Sequence, residues 1–241
     1  MKKIILSAVA VFTFGFANAQ EVKFGVKGGL NLSTIKFNYP SQQGDPAYSP
    51  DNKMAVGFHV GGFAEIGLSD KLSFQPELLF SMEGAKFENI ESGTKIIGGN
   101  TYSYTDNETS NIVTSYINVP LLLKFKATEN LFFVAGPQVG FLMSAKQDYE
   151  SKSTQTFNGQ TTTDSKTFSG QDVKKYYESM SYALDLGAGY FFTENIFTEV
   201  RYNLGLSNNA KPVTETFNGQ TYTYEPVFKA STIQFSLGYR F

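Results

Sequence analysis

Ile233-Gln234-Phe235-Ser236-Leu237-Gly238-Tyr239-Arg240-Phe241 is the stretch whose reading decides the fold. Ile233, Phe235, Leu237, Tyr239 and Phe241 share one parity, while small, polar or charged residues take the other. Successive side chains of a strand point to opposite faces, so this segment is a strand with one apolar face that continues to the last residue. Soluble domains usually trail off in polar, loosely held residues. Here something apolar has to cover the final strand.

Seven more segments upstream repeat the alternation. The first sets Val22, Phe24, Val26, Leu30 and Leu32 against Lys23, Gly25, Lys27, Gly29, Asn31 and Ser33. The second sets Met54 to Leu68 on even numbers against Gly57, His59, Gly61, Phe63 and Glu65. In the third, Leu72, Phe74, Leu78, Phe80 and Met82 oppose Ser73, Gln75, Glu77, Ser81 and Glu83. The fourth and fifth run over 116–126 and 131–144, with Asn118, Lys124 and Lys126, then Gln138 and Ser144, on their polar faces. The sixth opposes Tyr182, Leu184, Leu186, Tyr190 and Phe192 to Ser181, Asp185, Gly187 and Gly189. The seventh opposes Ile196, Val200, Tyr202 and Leu204 to Phe197, Glu199, Arg201 and Asn203.

The connections alternate in length. Ser69-Asp70, Thr128-Glu129-Asn130 and Thr193-Glu194-Asn195 are tight turns, whereas 36–53, 88–114, 145–180 and 207–229 are long. This pattern predicts an all-β, eight-stranded antiparallel up-and-down transmembrane β-barrel with long extracellular hairpin loops and both termini periplasmic. A soluble lipocalin-like barrel would alternate in the same way with its apolar face turned inward. Three features favour the membrane: a glycine-rich polar face suited to a crowded lumen, nearly balanced charges on that face, and the terminal aromatic.

The other end fits the same address. Met1-Lys2-Lys3 is basic, Ile4 to Phe16 is apolar, and Ala17-Asn18-Ala19 is an A-x-A site, so residues 1–19 read as a cleaved signal peptide and 20–241 as the barrel domain. Loss of Lys2 and Lys3 moves the formal charge from −2 to −4. With one histidine and scattered lysines there is no basic stripe for nucleic acid. Cysteine is absent, which removes disulfides and thiolate chemistry. No run of 18 apolar residues follows residue 20, and tyrosine, phenylalanine, glycine and threonine give a strand-rich composition.

Short motifs occur along the chain: Gly25-Val26-Lys27-Gly28-Gly29-Leu30-Asn31, Gln75-Pro76-Glu77-Leu78-Leu79, Asn118-Val119-Pro120-Leu121, Ala135-Gly136-Pro137, Arg201-Tyr202-Asn203-Leu204-Gly205-Leu206 and Gly238-Tyr239-Arg240-Phe241. Together they resemble the outer-membrane β-barrel family of PorT-like proteins. The resemblance implies a cell-envelope protein, with a component of a secretion or gliding apparatus as one expected role.

Within that fold, counting from the tight turns places Lys27, Glu77, Asp185 and Arg201 in a middle lumen layer. The same counting places Lys23, Glu65, Lys124, Glu199 and Arg240 in a lower layer. A dry lumen requires such charges to pair, as a structural plug or, alternatively, as the lining of a narrow pore. Phe235, Leu237, Tyr239 and Phe241 are read as the signal through which the last strand engages the barrel-assembly machinery, and their face as meeting outer-membrane lipid. Pro76, Pro120 and Pro137 each predict a bulge or a gap in the strand ladder.

Thr156-Phe157-Asn158-Gly159-Gln160-Thr161 recurs as Thr216-Phe217-Asn218-Gly219-Gln220-Thr221. Asn-Gly between alternating Thr and Phe is a type I′ hairpin signal, so the strands are expected to run past the membrane to tips at Asn158-Gly159 and Asn218-Gly219. These hairpins are the expected surface for an extracellular or envelope partner. His59 reads as a satisfied lumen histidine without a recognisable acid–serine partner, and no cofactor, metal or enzymatic role is expected.

Overall fold

The computed structural model describes residues 22–38, 52–217 and 220–241. The segment 1–19, expected to be a signal peptide, and the expected hairpin tip at Asn218-Gly219 lie outside the described residues. Among the described residues eleven strands are formed: β1 (Val22–Asn38), β2 (Asn52–Gly67), β3 (Leu72–Ile97), β4 (Asn100–Lys126), β5 (Leu131–Phe157), β6 (Gln160–Asp172), β7 (Met180–Phe191), β8 (Ile196–Gly205), β9 (Val213–Phe217), β10 (Gln220–Tyr224) and β11 (Val227–Arg240). Eight of them close an antiparallel up-and-down ring in the order β1, β2, β3, β4, β5, β7, β8, β11 and back to β1. Among the described residues no helix is long and apolar enough to cross a membrane.

One circuit of the ring defines its geometry. The register runs from Val22 to Ile66, Phe74, Leu123, Ala135, Leu186, Tyr202 and Ile233, and returns to β1 at Leu32. The chain therefore comes back ten residues further along, a shear of ten for eight strands, which corresponds to a strand tilt of about 40°.

Outside, the ring carries a belt of exposed apolar side chains that includes Phe24, Leu30, Val60, Leu78, Leu123, Phe133, Leu186, Val200 and Leu237. Tyr190, Phe192, Tyr239 and Phe241 lie at the tight-turn end of this belt, and Phe58, Tyr182 and Tyr202 lie towards the other. A belt of this kind flanked by aromatic residues suits a wall facing lipid. The parity expected for the eight segments is the parity observed, except that Ile66, on the outward row of β2, is buried.

The long connections are built of strand. β3, β4 and β5 each run for 26 or 27 residues and continue well past the belt, with β6 added along the far half of β5. This makes a four-stranded sheet projecting from the barrel. β3 turns into β4 at Gly98-Gly99, and β5 into β6 at Asn158-Gly159, where both residues have positive φ, 52° and 79°. That is the turn expected of Asn-Gly, because type I′ geometry needs left-handed backbone at both positions. β9 and β10 pair separately, with Phe217 opposite Gln220.

The prolines leave gaps and not bulges. The β2–β3 ladder breaks between Phe63–Glu77 and Ile66–Phe74, beside Pro76. The β3–β4 ladder breaks between Pro76–Leu121 and Leu79–Asn118, and the β4–β5 ladder between Pro120–Gln138 and Leu123–Ala135. Register agrees on both sides of each break. Only the β5–β7 ladder passes a proline uninterrupted, through Pro137–Leu184.

Candidate functional site

The lumen is filled in layers. Nearest the tight turns, Phe63, Phe132, Phe191 and Phe197 pack edge to face or tilted, with ring centroids 5.2–5.8 Å apart. Three of these rings press against glycines of neighbouring strands. A Cβ on Gly25, Gly189 or Gly238 would come within 2.2 Å of the ring of Phe63, Phe132 or Phe197 respectively. Lumen glycines are thus the seats of the aromatic floor. Lys124 stands among the rings, with Nζ 4.2 Å from the Phe132 centroid and 4.8 Å from that of Phe191, and is paired at 2.8 Å with Glu65 Oε2. Arg240 stacks over Phe191 and reaches the same Glu65 oxygen at 3.4 Å.

Above the floor is the densest charge cluster. Arg201 donates from both terminal nitrogens to Glu77, at 3.0 and 2.9 Å, in a two-pronged pair. Its NH2 also lies 2.7 Å from Glu199 Oε1, and its NH1 lies 3.7 Å from Asp185 Oδ2. Lys27 bridges Glu77 at 2.8 Å and Glu199 at 3.2 Å. Gln75 donates to Glu77, and Asn203 donates to Asp185. Arg201 and Asp185 have no solvent exposure. Two cations thus face three carboxylates without access to bulk water, and the hydrogen bonds offset a desolvation penalty of several kcal/mol per ion.

One layer higher, His59 Nδ1 lies 2.8 Å from Asn31 Oδ1, and His59 Nε2 lies 2.8 Å from Ser236 Oγ. Asn31 Nδ2 donates to Phe58 O, Ser81 Oγ and Met82 O, so its oxygen must face the imidazole. His59 is therefore protonated on Nδ1 and accepts the Ser236 hydroxyl proton at Nε2. The order matches nucleophile, base and orienting group. Both ring and hydroxyl are buried, between the charge cluster and an apolar cap.

The cap closes the far end. Ile35, Phe37, Ala85, Ile112, Tyr116, Leu142 and Phe228 point inward from the ring, and Val173, Tyr177 and Ala210 enter from the connections above. Phe228 packs on Phe37 at 4.4 Å and on Tyr177 at 5.5 Å.

An apolar outer belt, a closed ring and a lumen whose charges pair with one another together describe a barrel built to sit in lipid. The model of the outer membrane protein beta-barrel domain matches residues 17–211. The chain belongs to this outer-membrane β-barrel family. No curated protein matches it. Among solved structures it is similar to the attachment invasion locus protein Ail of Yersinia pestis, at 14% identity over 92% of this chain and 99% of that one, with a TM-score of 0.34. It is also similar to the outer membrane protease OmpT of Escherichia coli (10%, 93% and 98%, 0.38) and to OprG of Pseudomonas aeruginosa (10%, 92% and 97%, 0.39).

In this outer-membrane barrel the charges expected in the lumen fall into two groups of ion pairs. Lys27, Glu77, Asp185 and Arg201 form the middle cluster, and Glu65, Lys124 and Arg240 form the lower one. Glu199 belongs to the middle cluster and not the lower, because the tilt staggers the strand starts and its carboxylate meets Lys27 and Arg201. Lys23 lies opposite Glu65 in register. Phe235, Leu237, Tyr239 and Phe241 all face outward.

The aromatic floor, the His59 relay and the apolar cap were not legible in the sequence. The aromatic floor was present only as scattered polar-parity residues such as Phe63 and Phe197. The His59 relay runs across Gly29, which pairs with His59 on one side and Ser236 on the other. That row exists only once β1 and β11 close the ring. Among the described residues no cluster of His, Cys, Asp or Glu is placed to hold a metal.

Proposed function

We propose that this protein is a closed outer-membrane scaffold that holds the projecting β3–β6 sheet above the membrane for contact with a partner protein, and that it neither conducts solutes nor catalyses a reaction. The observation that carries this reading is the lumen, occupied at every level by the aromatic floor, the ion cluster, the His59 relay and the apolar cap. The tight turns and both chain termini are assigned to the periplasm and the projecting sheet to the exterior, in keeping with short turns at one end and long hairpins at the other. On this view residues 1–19 are a signal peptide removed during export. A place in a secretion or gliding apparatus, implied by the PorT-like resemblance, is one form such partner contact takes.

Planar-bilayer recordings of the folded protein test the sealed lumen, and steady conductance steps that change with Arg201→Met would overturn it. Orientation is tested with single cysteines at Thr163 and Glu129. A membrane-impermeant maleimide should label the first and spare the second on intact cells. Photo-crosslinkers at Tyr104 and Tyr149 on the projecting sheet should trap an envelope or extracellular protein.

A further inference from the structure

Just beyond the apolar belt at the hairpin end, the outer wall becomes basic. Lys36 on β1 and Lys229 on β11 face each other directly in register, both exposed. Below them the same outward rows carry Leu30 and Leu32 on β1, and Ile233 and Phe235 on β11. Directly opposed like charges repel. Among the described residues no carboxylate pairs with either ammonium.

Lys53 and Lys86 repeat the arrangement across β2 and β3 and share one carboxylate, Glu88. At the same end, against Leu142 and Tyr177 of the cap, Lys174, Lys175 and Lys211 line a pocket of about 380 Å³ with a single acid, Asp172. Asp172 Oδ1 already accepts the Lys174 backbone N–H, and Lys174 Nζ reaches down to the carbonyl of Met143 at the top of the belt. At the opposite rim the three tight turns each present an exposed acid, Asp70, Glu129 and Glu194, beside Lys71.

We propose that this lysine collar binds the phosphate groups of anionic lipid in the leaflet at the hairpin end, with the Lys174–Lys175–Lys211 pocket seating one headgroup phosphate. A lysine at such a boundary lays its stem along the apolar wall and raises its ammonium to the headgroup level. A phosphate between Lys36 and Lys229 turns a repulsive pair into a bridge of charge-assisted hydrogen bonds. The inference rests on the reading of the hairpin end as the one that projects from the membrane.

The test uses the full chain folded into phosphatidylcholine nanodiscs that contain either bisphosphorylated lipid A or the same lipid with its phosphates removed. Native mass spectrometry then counts the lipid A retained. The phosphorylated form should be retained and the dephosphorylated form lost. Lys36→Gln with Lys229→Gln should weaken retention about thirtyfold, as should Lys174→Gln with Lys175→Gln. Equal retention of the two lipids, or undiminished retention by the combined variant, overturns the proposal. If the glutamine variants do not fold, two further measurements decide. Rising salt should release lipid A from the unmodified protein, and Lys→Arg replacements should keep it bound. Salt-insensitive retention counts against the collar. Failure of the scaffold reading is read separately, as conductance or as reversed cysteine labelling.

Discussion

The belt section and the hairpin-end section of the barrel wall are made from the same strands with opposite polarity. On β1, Phe24, Val26 and Leu30 face out while Lys27 and Asn31 face in; a few residues later Lys36 faces out while Ile35 and Phe37 face in. β3 changes from Leu78 outside and Glu77 inside to Lys86 outside and Ala85 inside. β11 changes from Leu237 outside and Gln234 inside to Lys229 outside and Phe228 inside. The β1–β11 register is continuous across the change. Strand alternation therefore establishes only that the two faces differ, and the medium outside decides which face is apolar. In lipid the interior must satisfy its own polar groups; in water the interior becomes an ordinary hydrophobic core.

The largest expected break in this contrast is at Arg201. Arg201→Met leaves Glu77, Glu199 and Asp185 facing Lys27 alone, and should cost about 3–5 kcal/mol in urea unfolding of the detergent-folded barrel. Adding Glu77→Gln should recover part of that loss, and a loss below about 1 kcal/mol would mean that the cluster is hydrated and not dry. In the cap, Phe228→Ala should cost about 3 kcal/mol by the same measurement, as deletion of a packed aromatic does in a water-soluble core.

The contrast is sharpened by two substitutions on one outward row. Leu30→Lys in the belt should destabilise by about 2–4 kcal/mol, falling with distance from the bilayer centre. Lys36→Leu, above the belt, should stay within about 0.5 kcal/mol. Equal penalties at the two sites would remove the boundary between them.

The smallest effect is at Glu88, on the water-facing side of that boundary. The hydrogen bonds from Lys53 and Lys86 hold its carboxyl down to about 2, from an ordinary 4.5. A depressed folded value stabilises above the unfolded value, so this contribution is complete above pH 4.5 and is lost as the pH falls from there through about 2. Carboxyl NMR should show the low midpoint, and Lys53→Gln should raise it.

Much of the fold was legible because period two is a local property. Eight segments, their inward and outward residues, the tight turns and the Asn158-Gly159 tip could all be read from neighbouring residues. The middle cluster of Lys27, Glu77, Asp185 and Arg201 was also within reach, since the tight turns give each strand an approximate height. Glu199 was not, because heights counted from turns ignore the stagger of a tilted ring. The cap was hidden for another reason: Ile35, Phe37 and Phe228 stand on the parity that is polar lower on the same strands.

The sequence by itself determined an eight-stranded alternating chain with one apolar face, because each side chain's face follows from its neighbours on the strand. Only the tertiary structure decided which charges meet, where His59 finds Ser236, and where the wall changes polarity. Those contacts depend on eight registers summed around a ring with a shear of ten, and on closure of β1 against β11. Closure brings Arg201 to Glu77, 124 residues apart, and Ser236 to His59, 177 residues apart. No local pattern encodes pairings at such separations.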